Sequence, residues 1–184
     1  MPFNTESMVG FQEREEEAKK ASRLAEDKYI LEIIDAELFD NNGLPRLRLG
    51  HRTVAAAGQG TTGRFHTEFL GWFASETSNS PKPIEERNRV IRRMTVEKLQ
   101  GYLKSLEDSP TSDQDLGMNL DECITALKDI EDPSEASEYL QAIGDMLVGQ
   151  NITGQIKYSK TGDFVNLYAL GYDESIGAAD AVTV

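Results

Sequence analysis

The stretch that decides the fold is YILEIIDAELFDNNGLPRLRLGHRTV, residues 29–54. Its first part, residues 29–39, is rich in β-branched and aromatic side chains, which predicts a long strand with one buried face. The residues expected on that face are Ile30, Ile34, Ala36 and Leu38. The sequence DNNG at 40–43 predicts a tight hairpin, because Asn and Gly tolerate the positive φ that such turns require.

A second strand is predicted to follow the hairpin, over Leu44–Val54. Alternate side chains of a strand point to opposite faces of its sheet. In this strand one parity is basic and the other is mostly apolar, so we expect an arginine face on one side and a core face on the other. The basic set is Arg46, Arg48 and Arg52, and the core set is Leu47, Leu49 and His51.

The stretch after this strand is small and rich in glycine, which predicts a flexible loop over Ala55–Gly63. Its pattern Gly58-x-Gly60-x-x-Gly63 matches a dinucleotide-binding fingerprint, but a strand-like sequence follows where that fingerprint needs a helix N-terminus. We therefore predict no cofactor site there. Arg64–Phe73 is the third predicted strand, and its phenylalanines, spaced for one face, are expected in the core. They are Phe65, Phe69 and Phe73.

Beyond a Pro- and Ser-rich boundary at 78–83, apolar residues recur at three- and four-residue spacing and predict helices. The helices are expected over 83–106, 119–130 and 134–147. Strand-like alternation then returns over 151–158 and 164–172, on either side of a hairpin loop. Together these elements predict an α+β fold: a five-stranded OB-like antiparallel barrel with a helical insertion between strands 3 and 4.

The 184 residues fit one domain, or one domain that carries a substantial insertion. We expect five segments, each distinct in composition. They are a charged N-terminal helix or arm (1–28), the first part of the OB-like β-domain (29–75), an acidic helical insertion (76–148), the last β-hairpin of the OB-like domain (149–174) and a flexible tail (175–184).

Charge is distributed unevenly along the chain. The net charge is −13, yet residues 107–145 alone contain twelve acidic residues and one basic residue. Residues 41–67, by contrast, contain four arginines, two histidines and no acidic residue. A phosphate backbone responds to charges within a Debye length of roughly 8–10 Å rather than to the net total. Overall acidity therefore does not exclude a nucleic-acid-binding face on the second strand.

Several catalytic and metal-binding chemistries lack the residues they need. The single cysteine, Cys123, and the two histidines, His51 and His66, provide no zinc-ligand spacing, and no Gly-x-Ser-x-Gly nucleophile motif is present. We therefore expect no metal, no cofactor and no enzymatic activity. An unpaired cysteine suits a reducing cytosol, and no apolar run approaches the roughly 18 residues of a membrane span.

The remaining constellation is a set of basic residues next to aromatic ones. Proteins that bind single-stranded nucleic acid combine cations along the backbone with aromatic faces on which bases stack. Such residues occur here on the arginine face, on the third strand and in the last hairpin. The predicted nucleic-acid-binding residues are Arg46, Arg48, Arg52, Arg64, His66, Trp72, Lys157, Tyr158, Lys160 and Phe164.

Three stretches carry a family resemblance: YILEIIDAE (29–37), RFHTEFLGWF (64–73) and GQNITGQIKYSKTGDFVN (149–166). They are similar to small phage-encoded OB-fold proteins of the single-stranded-DNA-binding type. The resemblance implies a protein that coats single-stranded DNA during replication or recombination, in the cytoplasm of a bacterial host. Such proteins often end in an acidic tail with a terminal Phe. This chain ends AADAVTV, so replication or recombination proteins are expected to dock on the acidic helices instead.

Two rival hypotheses stay open. In the first, the chain is a protein-interaction module or an inhibitor of the DNA-mimic type, which binds a basic protein surface through its acidic helical insertion. In the second, it is an enzyme acting on nucleic acid, although no metal-binding carboxylate cluster falls on a recognisable strand. The sequence decides neither the preference between DNA and RNA nor the oligomeric state, for which a homo-oligomer is one alternative.

Overall fold

The structure is a computed structural model of the chain, and it describes residues 23–76 and 79–177. Within these residues the chain has an α+β fold with five strands and three helices. The strands are β1 (Asp27–Asn41), β2 (Leu44–Ala56), β3 (Phe65–Gly71), β4 (Asn151–Tyr158) and β5 (Val165–Leu170). The helices are α1 (Ile84–Glu107), α2 (Gln114–Leu127) and α3 (Pro133–Leu147). Most of the predicted N-terminal arm and most of the predicted tail lie outside the described residues.

The strands form one antiparallel sheet in the order β3-β2-β1-β4-β5. No backbone pairing joins β3 to β5 in the described ranges, so the sheet is open. The predicted hairpin between β1 and β2 is confirmed, because Asn42 and Gly43 have φ angles of 58° and 81°. Positive φ at both central residues gives the turn a twist that matches that of the two strands.

The buried face of β1 differs from the predicted one. Two irregularities interrupt its pairing with β2, one between Ile30 and Leu31 and one between Ile33 and Asp35. An extra residue in a strand changes which parity points into the core. The prediction of one continuous apolar parity was therefore wrong. Before the second irregularity the buried apolar residues are Tyr29, the predicted Ile30, Leu31 and Ile33. The predicted Ala36 and Leu38 pack against the core after it, and the predicted Ile34 is only partly buried.

The helices begin where local caps place them. α2 begins earlier than predicted, because the Asp113 carboxylate accepts a hydrogen bond from Leu116 N at 2.6 Å. α3 begins at Pro133, one residue before its predicted start, with Asp132 as its N-cap. Proline suits the first turn of a helix, where its missing N–H has no partner to lose. α1 lies within one residue of its predicted bounds at each end.

One apolar core contains both the sheet and the helices. α3 approaches the sheet closely at Gly144, where a Cβ would lie 2.8 Å from Leu47 Cδ1 and 3.0 Å from Ala36 Cβ. α1 approaches β5 at Gly101, where a Cβ would lie 3.3 Å from Ala169 Cβ. The fully buried helical residues include Leu99, Leu120, Leu127, Leu140, Ile143 and Leu147. The helices are thus part of the fold that positions the sheet, not an appendage that can be removed from it.

The C-terminal segment continues past β5 as folded structure. Asp173 N donates a hydrogen bond to Thr153 Oγ1 of β4 at 2.9 Å, and the side chain of Ile176 is buried. The flexible tail was predicted from residue 175, so its predicted start falls inside a segment that packs against the sheet.

Candidate nucleic-acid interface

The outward face of β2, on the side of the sheet away from its core, carries the predicted arginines. The expected alternation is confirmed, since one parity of the strand is fully buried and the other reaches solvent. The buried residues are Leu47, Leu49 and His51, and the outward residues are Arg46, Arg48 and Arg52. Buried side chains and surface cations therefore alternate along the strand.

β3 presents two phenylalanines on this same outward face. The side chains of Phe65 and Phe69 are 69% and 53% exposed, so the prediction that they belong to the core was wrong. β3 turns its other parity inward, because Leu70 is the cross-strand partner of the buried Leu47. Phe73, beyond the end of β3, is buried as predicted.

Cross-strand pairing places these arginines and phenylalanines side by side. Arg48 lies opposite Phe69, and Arg52 lies opposite Phe65. On the other flank, Phe39 of β1 meets Phe69 edge to face with 5.9 Å between ring centroids, a favourable geometry for an aromatic pair. We refer to Arg46, Arg48, Arg52, Phe65 and Phe69 as the sheet face.

Acidic residues of β1 compensate two of the three arginines. Arg48 contacts Glu37 at 2.8 Å and Asp35 at 3.8 Å, and Arg52 contacts Glu32. These carboxylates precede the acid-free stretch of the sequence, but β1 is the neighbouring strand and brings them against β2. The pairs reach solvent, and exposed pairs of this kind contribute only about 0–1 kcal/mol. Separating either arginine from its carboxylate therefore costs little free energy.

Arg46 differs from its two neighbours. Among the described residues it forms no ion pair. Its buried Nε has no hydrogen-bond partner, a feature that it shares with Arg48. Arg46 lies opposite Gly71 of β3. A Cβ at Gly71 would lie 3.8 Å from Arg46 Nε and 3.7 Å from Ile91 Cγ2, so the arginine passes this glycine on its way toward α1. Arg46 therefore connects the sheet face to the first helix.

Trp72 does not belong to this surface. Its side chain is 1% exposed, and its indole N–H donates to Ile130 O at 2.9 Å. The Arg92 guanidinium covers the ring at 5.4 Å from its centroid. The prediction that Trp72 stacks on a base was wrong, because the indole lies in the core beneath α1 and the turn after α2.

The side chain of His66 also points inward, away from the sheet face. Its Nε2 lies 2.7 Å from Glu68 Oε1, and Glu68 also pairs with Lys98 of α1. The same Oε1 accepts a hydrogen bond from Leu167 N of β5 at 3.2 Å. Burial alone would raise the pKa of Glu68, but the bond from His66 and the charge of Lys98 lower it. The predicted DNA contact at His66 is thus corrected to a structural role, holding the two edge strands and α1 together.

A second buried polar pair lies beside this cluster. His51 Nδ1 is 3.3 Å from His66 O, and a carbonyl oxygen only accepts, so Nδ1 carries the proton. His51 Nε2 then accepts a hydrogen bond from Tyr102 Oη at 2.8 Å. Burial, together with the charge of nearby His66, lowers the pKa of His51 to about 4. Burial raises the pKa of Tyr102 well above its ordinary value. Both groups are therefore neutral near pH 7.

The predicted residues of the last hairpin occupy two environments. Lys157, Lys160 and Phe164 are exposed, as is Arg64 in the loop before β3. Tyr158 is half-buried, because its hydroxyl donates to a backbone carbonyl at Leu24 and Arg23 lies over its ring at 6.0 Å. One face of that ring is therefore already covered.

The glycine-rich loop between β2 and β3, predicted to be flexible, is hydrogen-bonded to side chains at both of its ends. The Asp27 carboxylate accepts hydrogen bonds from Gly58 N and Gly60 N, each at 2.9 Å. At the other end of the loop, Thr53 Oγ1 accepts from Arg64 N at 3.0 Å. These three backbone N–H groups therefore already donate to side chains of β1 and β2.

One basic region was missed in the sequence analysis. Residues 82–107 contain seven basic and four acidic residues, and they belong to α1 and its approach. The cations went unnoticed because the helical segment was weighed as a whole, and its strongly acidic second part dominated the total. Charge summed in windows of about one helix would have found them.

Two kinds of feature are absent from the described residues. Residues 23–76 and 79–177 contain no cluster of three His, Cys, Asp or Glu side chains that could hold a metal ion. In the same ranges no helix combines the length and the apolar composition needed to cross a bilayer.

Comparison with known proteins gives no match, either to a protein-family model or to a curated protein sequence. The geometry of the sheet face indicates the class of site instead. Cations alternate with buried residues along β2, and exposed aromatic rings stand beside them on β3. This is the combination that surfaces for single-stranded nucleic acid require.

Proposed function

We propose that the protein binds single-stranded DNA on its sheet face, as a non-enzymatic protein of the phage type that coats DNA during replication or recombination. The observation that carries the proposal is the juxtaposition of Arg48 with Phe69 and of Arg52 with Phe65 on neighbouring strands. Arginine supplies charge for the phosphates, and an exposed phenyl face accepts a base. A duplex keeps its bases stacked inside, so exposed aromatic rings favour a single strand.

The strand order supports an OB-like arrangement for this face. In an OB fold, five strands form a partly open barrel whose strand 2–3 surface binds oligonucleotides. Here β2 and β3 carry the exposed aromatic and basic residues. The Glu68 carboxylate of β3 bonds to the backbone of Leu167 in β5, which draws the two sheet edges together without a ladder. The resemblance to phage single-strand binders points in the same direction.

Ion pairing on the sheet face implies moderate affinity. Before a phosphate binds Arg48 or Arg52, a β1 carboxylate must give up its contact. The exposed hairpin residues Lys157, Lys160 and Phe164 are the proposed second contact region, since they combine cations with an aromatic ring that is 70% exposed. The exposed Arg64 extends the sheet face beside Phe65.

The test is fluorescence anisotropy of labelled oligo-dT with the full chain at low salt, compared with a duplex of equal length. We expect binding to the single strand and weaker binding to the duplex. A variant carrying Arg46→Gln, Arg48→Gln and Arg52→Gln should lose most of this affinity. A variant with the same charge change at exposed α1 positions, Arg89→Gln, Arg93→Gln and Lys104→Gln, should lose little. No anisotropy change for the wild type, or equal losses in both variants, contradicts the proposal.

A second candidate function rests on the acidic helices. Within the described residues, the acidic side chains of 107–145 form no ion pair, which leaves a strongly negative surface on α2 and α3. Such a surface suits a basic protein partner, as a DNA mimic or as a docking site for replication proteins. Because these helices supply core residues, the test replaces exposed acids rather than deleting the segment. Asp115→Asn, Asp121→Asn and Glu138→Gln together should leave oligo-dT binding intact or stronger, and should abolish binding to a basic protein if this candidate is correct.

A further inference from the structure

Helix α1 runs along the edge of the sheet between β3 and β5. Thr95 Oγ1 donates to Gly71 O of β3 at 2.7 Å. Further along the helix, Gly101 packs against Ala169 of β5. The outward side of this contact is not filled, and three grooves follow the helix there.

The first groove has a volume of about 390 Å³ and is basic. It is lined by Arg46, Lys82 and Arg87, with Val90 and Ile91 as its apolar wall. The Nε atoms of both arginines are buried and have no hydrogen-bond partner in the described part of the chain. Both side chains line the groove, so the terminal guanidinium N–H groups, and not the buried Nε atoms, are the donors that an anionic group there can reach.

The second groove shares Arg46 and Ile91 with the first, so the two adjoin. Its volume is about 170 Å³, and its rim includes Phe69 and Met94. Both side chains are just over half exposed. The groove therefore begins at the aromatic edge of the sheet face and leads away from it along α1.

The third groove shares Met94 and Lys98 with the second and has a volume of about 230 Å³. Its far wall is β5, where the side chain of Tyr168 is 53% exposed. Glu97 is the one acidic residue of the lining. We refer to the three connected grooves as the helix trough, with Arg46, Arg87, Phe69, Met94, Lys98 and Tyr168 as its marker residues.

We propose that the helix trough is the continuation of the single-strand site, so that the bound strand leaves the sheet face at Arg46 and follows α1. This inference rests on the proposed function. Phosphates contact Arg87 and Arg46 at the first groove, and bases stack on Phe69 and Tyr168 further along. From Arg87 to Gly101 the helix spans about 21 Å at 1.5 Å per residue, a length that a short run of nucleotides can follow.

Charge compensation favours the helix trough over the rest of the sheet face. Arg48 and Arg52 already contact β1 carboxylates, whereas Arg46 and Arg87 contact no carboxylate among the residues described. Arg87 Nη1 donates to Ser75 O at 2.6 Å, which orients the guanidinium without neutralising it. A phosphate at this end of the helix trough displaces no acid.

The test measures the salt dependence of oligo-dT binding for three variants of the full chain. For single strands, log K falls against log salt by about 0.7 per phosphate contact. Arg87→Gln should therefore make the slope shallower by about 0.7, and Tyr168→Ala should weaken binding on the order of tenfold. Arg93→Gln, an exposed arginine on another side of the same helix, is the matched control and should leave slope and affinity unchanged.

Thermal melts of each variant separate lost binding from lost folding, and photocrosslinking to an iodouracil oligonucleotide gives a second measurement on the wild type. We expect crosslinked peptides from both Phe69 and Tyr168. If the wild type does not bind oligo-dT, the proposed function fails. A second outcome is that the wild type binds oligo-dT and Phe69→Ala weakens this binding, while Arg87→Gln and Tyr168→Ala have no more effect than Arg93→Gln. That outcome supports binding on the sheet face and excludes the helix trough.

Discussion

The two faces of the β2–β3 ribbon differ in almost every physical respect, although their residues alternate along the same strands. The outward face carries the half-buried Arg48 and the exposed Phe69, which pair across the strands. The inward face carries His51 and Glu68, which are buried in a polar cluster with α1. Adjacent residues of these strands thus have different roles, one at the surface and the next in the core. Substitutions on the two faces should accordingly separate binding from stability.

The largest expected effect belongs to the inward side, at Trp72. Trp72→Ala removes a fully buried ring and leaves the carbonyl of Ile130 without its indole donor. We expect a loss of about 3–5 kcal/mol in the free energy of unfolding. Urea denaturation gives that value, and oligo-dT affinity at a temperature where the variant is folded should be close to that of the wild type. If the variant is as stable as the wild type and has lost only its DNA affinity, Trp72 belongs to the binding surface after all.

The next effect is a pH dependence of stability that originates at His51. Its pKa is lowered to about 4 in the folded chain, while the unfolded chain titrates near 6.5. As pH falls from about 6.5 to 4, the unfolded state takes up a proton that the folded state does not. The free energy of unfolding therefore decreases by up to about 3 kcal/mol. His51→Gln should flatten the stability profile in this window. Chemical denaturation between pH 7 and pH 5 measures it, and a wild-type profile that is already flat there contradicts the assigned burial.

On the outward face the expected effect falls on binding. Phe69→Ala should weaken oligo-dT binding by about 1–3 kcal/mol, the range for one stacked base, and should change stability much less than Trp72→Ala does. Met118→Ala, at an exposed apolar residue of α2, is the control for loss of exposed apolar surface. Anisotropy titrations of both variants decide the point, and equal affinities would remove Phe69 from the site.

The smallest expected effect tests the competition between carboxylate and phosphate. Glu37→Gln frees Arg48 from its closest carboxylate contact, so DNA affinity should rise by less than about 1 kcal/mol. Asp121→Asn on α2 makes the same change in net charge at a distance. Affinity that rises equally in both variants indicates a general charge effect and not a local one.

Sequence reasoning predicted the local elements of this fold better than the faces of its strands. Hairpin chemistry at Asn42 and Gly43 and the alternation within β2 depend on neighbouring residues alone, and both predictions are confirmed. The buried parity of β1 depends on two irregularities in its pairing with β2, which no periodicity reveals. The inward parity of β3 depends on its register with β2. For this reason Phe65 was wrongly predicted to lie in the core, and Trp72 was wrongly predicted to lie at the surface.

The candidate site was predicted in part for the same reason. The arginines of β2 were found because basic and apolar residues alternate within one strand. Their carboxylate partners were not, because Glu32 and Glu37 lie on the preceding strand and come close only when the hairpin folds. The helix trough depends on the packing of α1 between β3 and β5, which the spacing of apolar residues in one helix cannot specify.

We propose that the sheet face of this acidic chain binds single-stranded DNA through local positive charge. The most direct measurement is the affinity of the wild type for labelled oligo-dT across a salt series at pH 7. We expect log K to fall linearly with log salt, with a slope of about −2 or steeper for three or more phosphate contacts. Absence of binding at the lowest salt, or an affinity that does not change with salt, would contradict it.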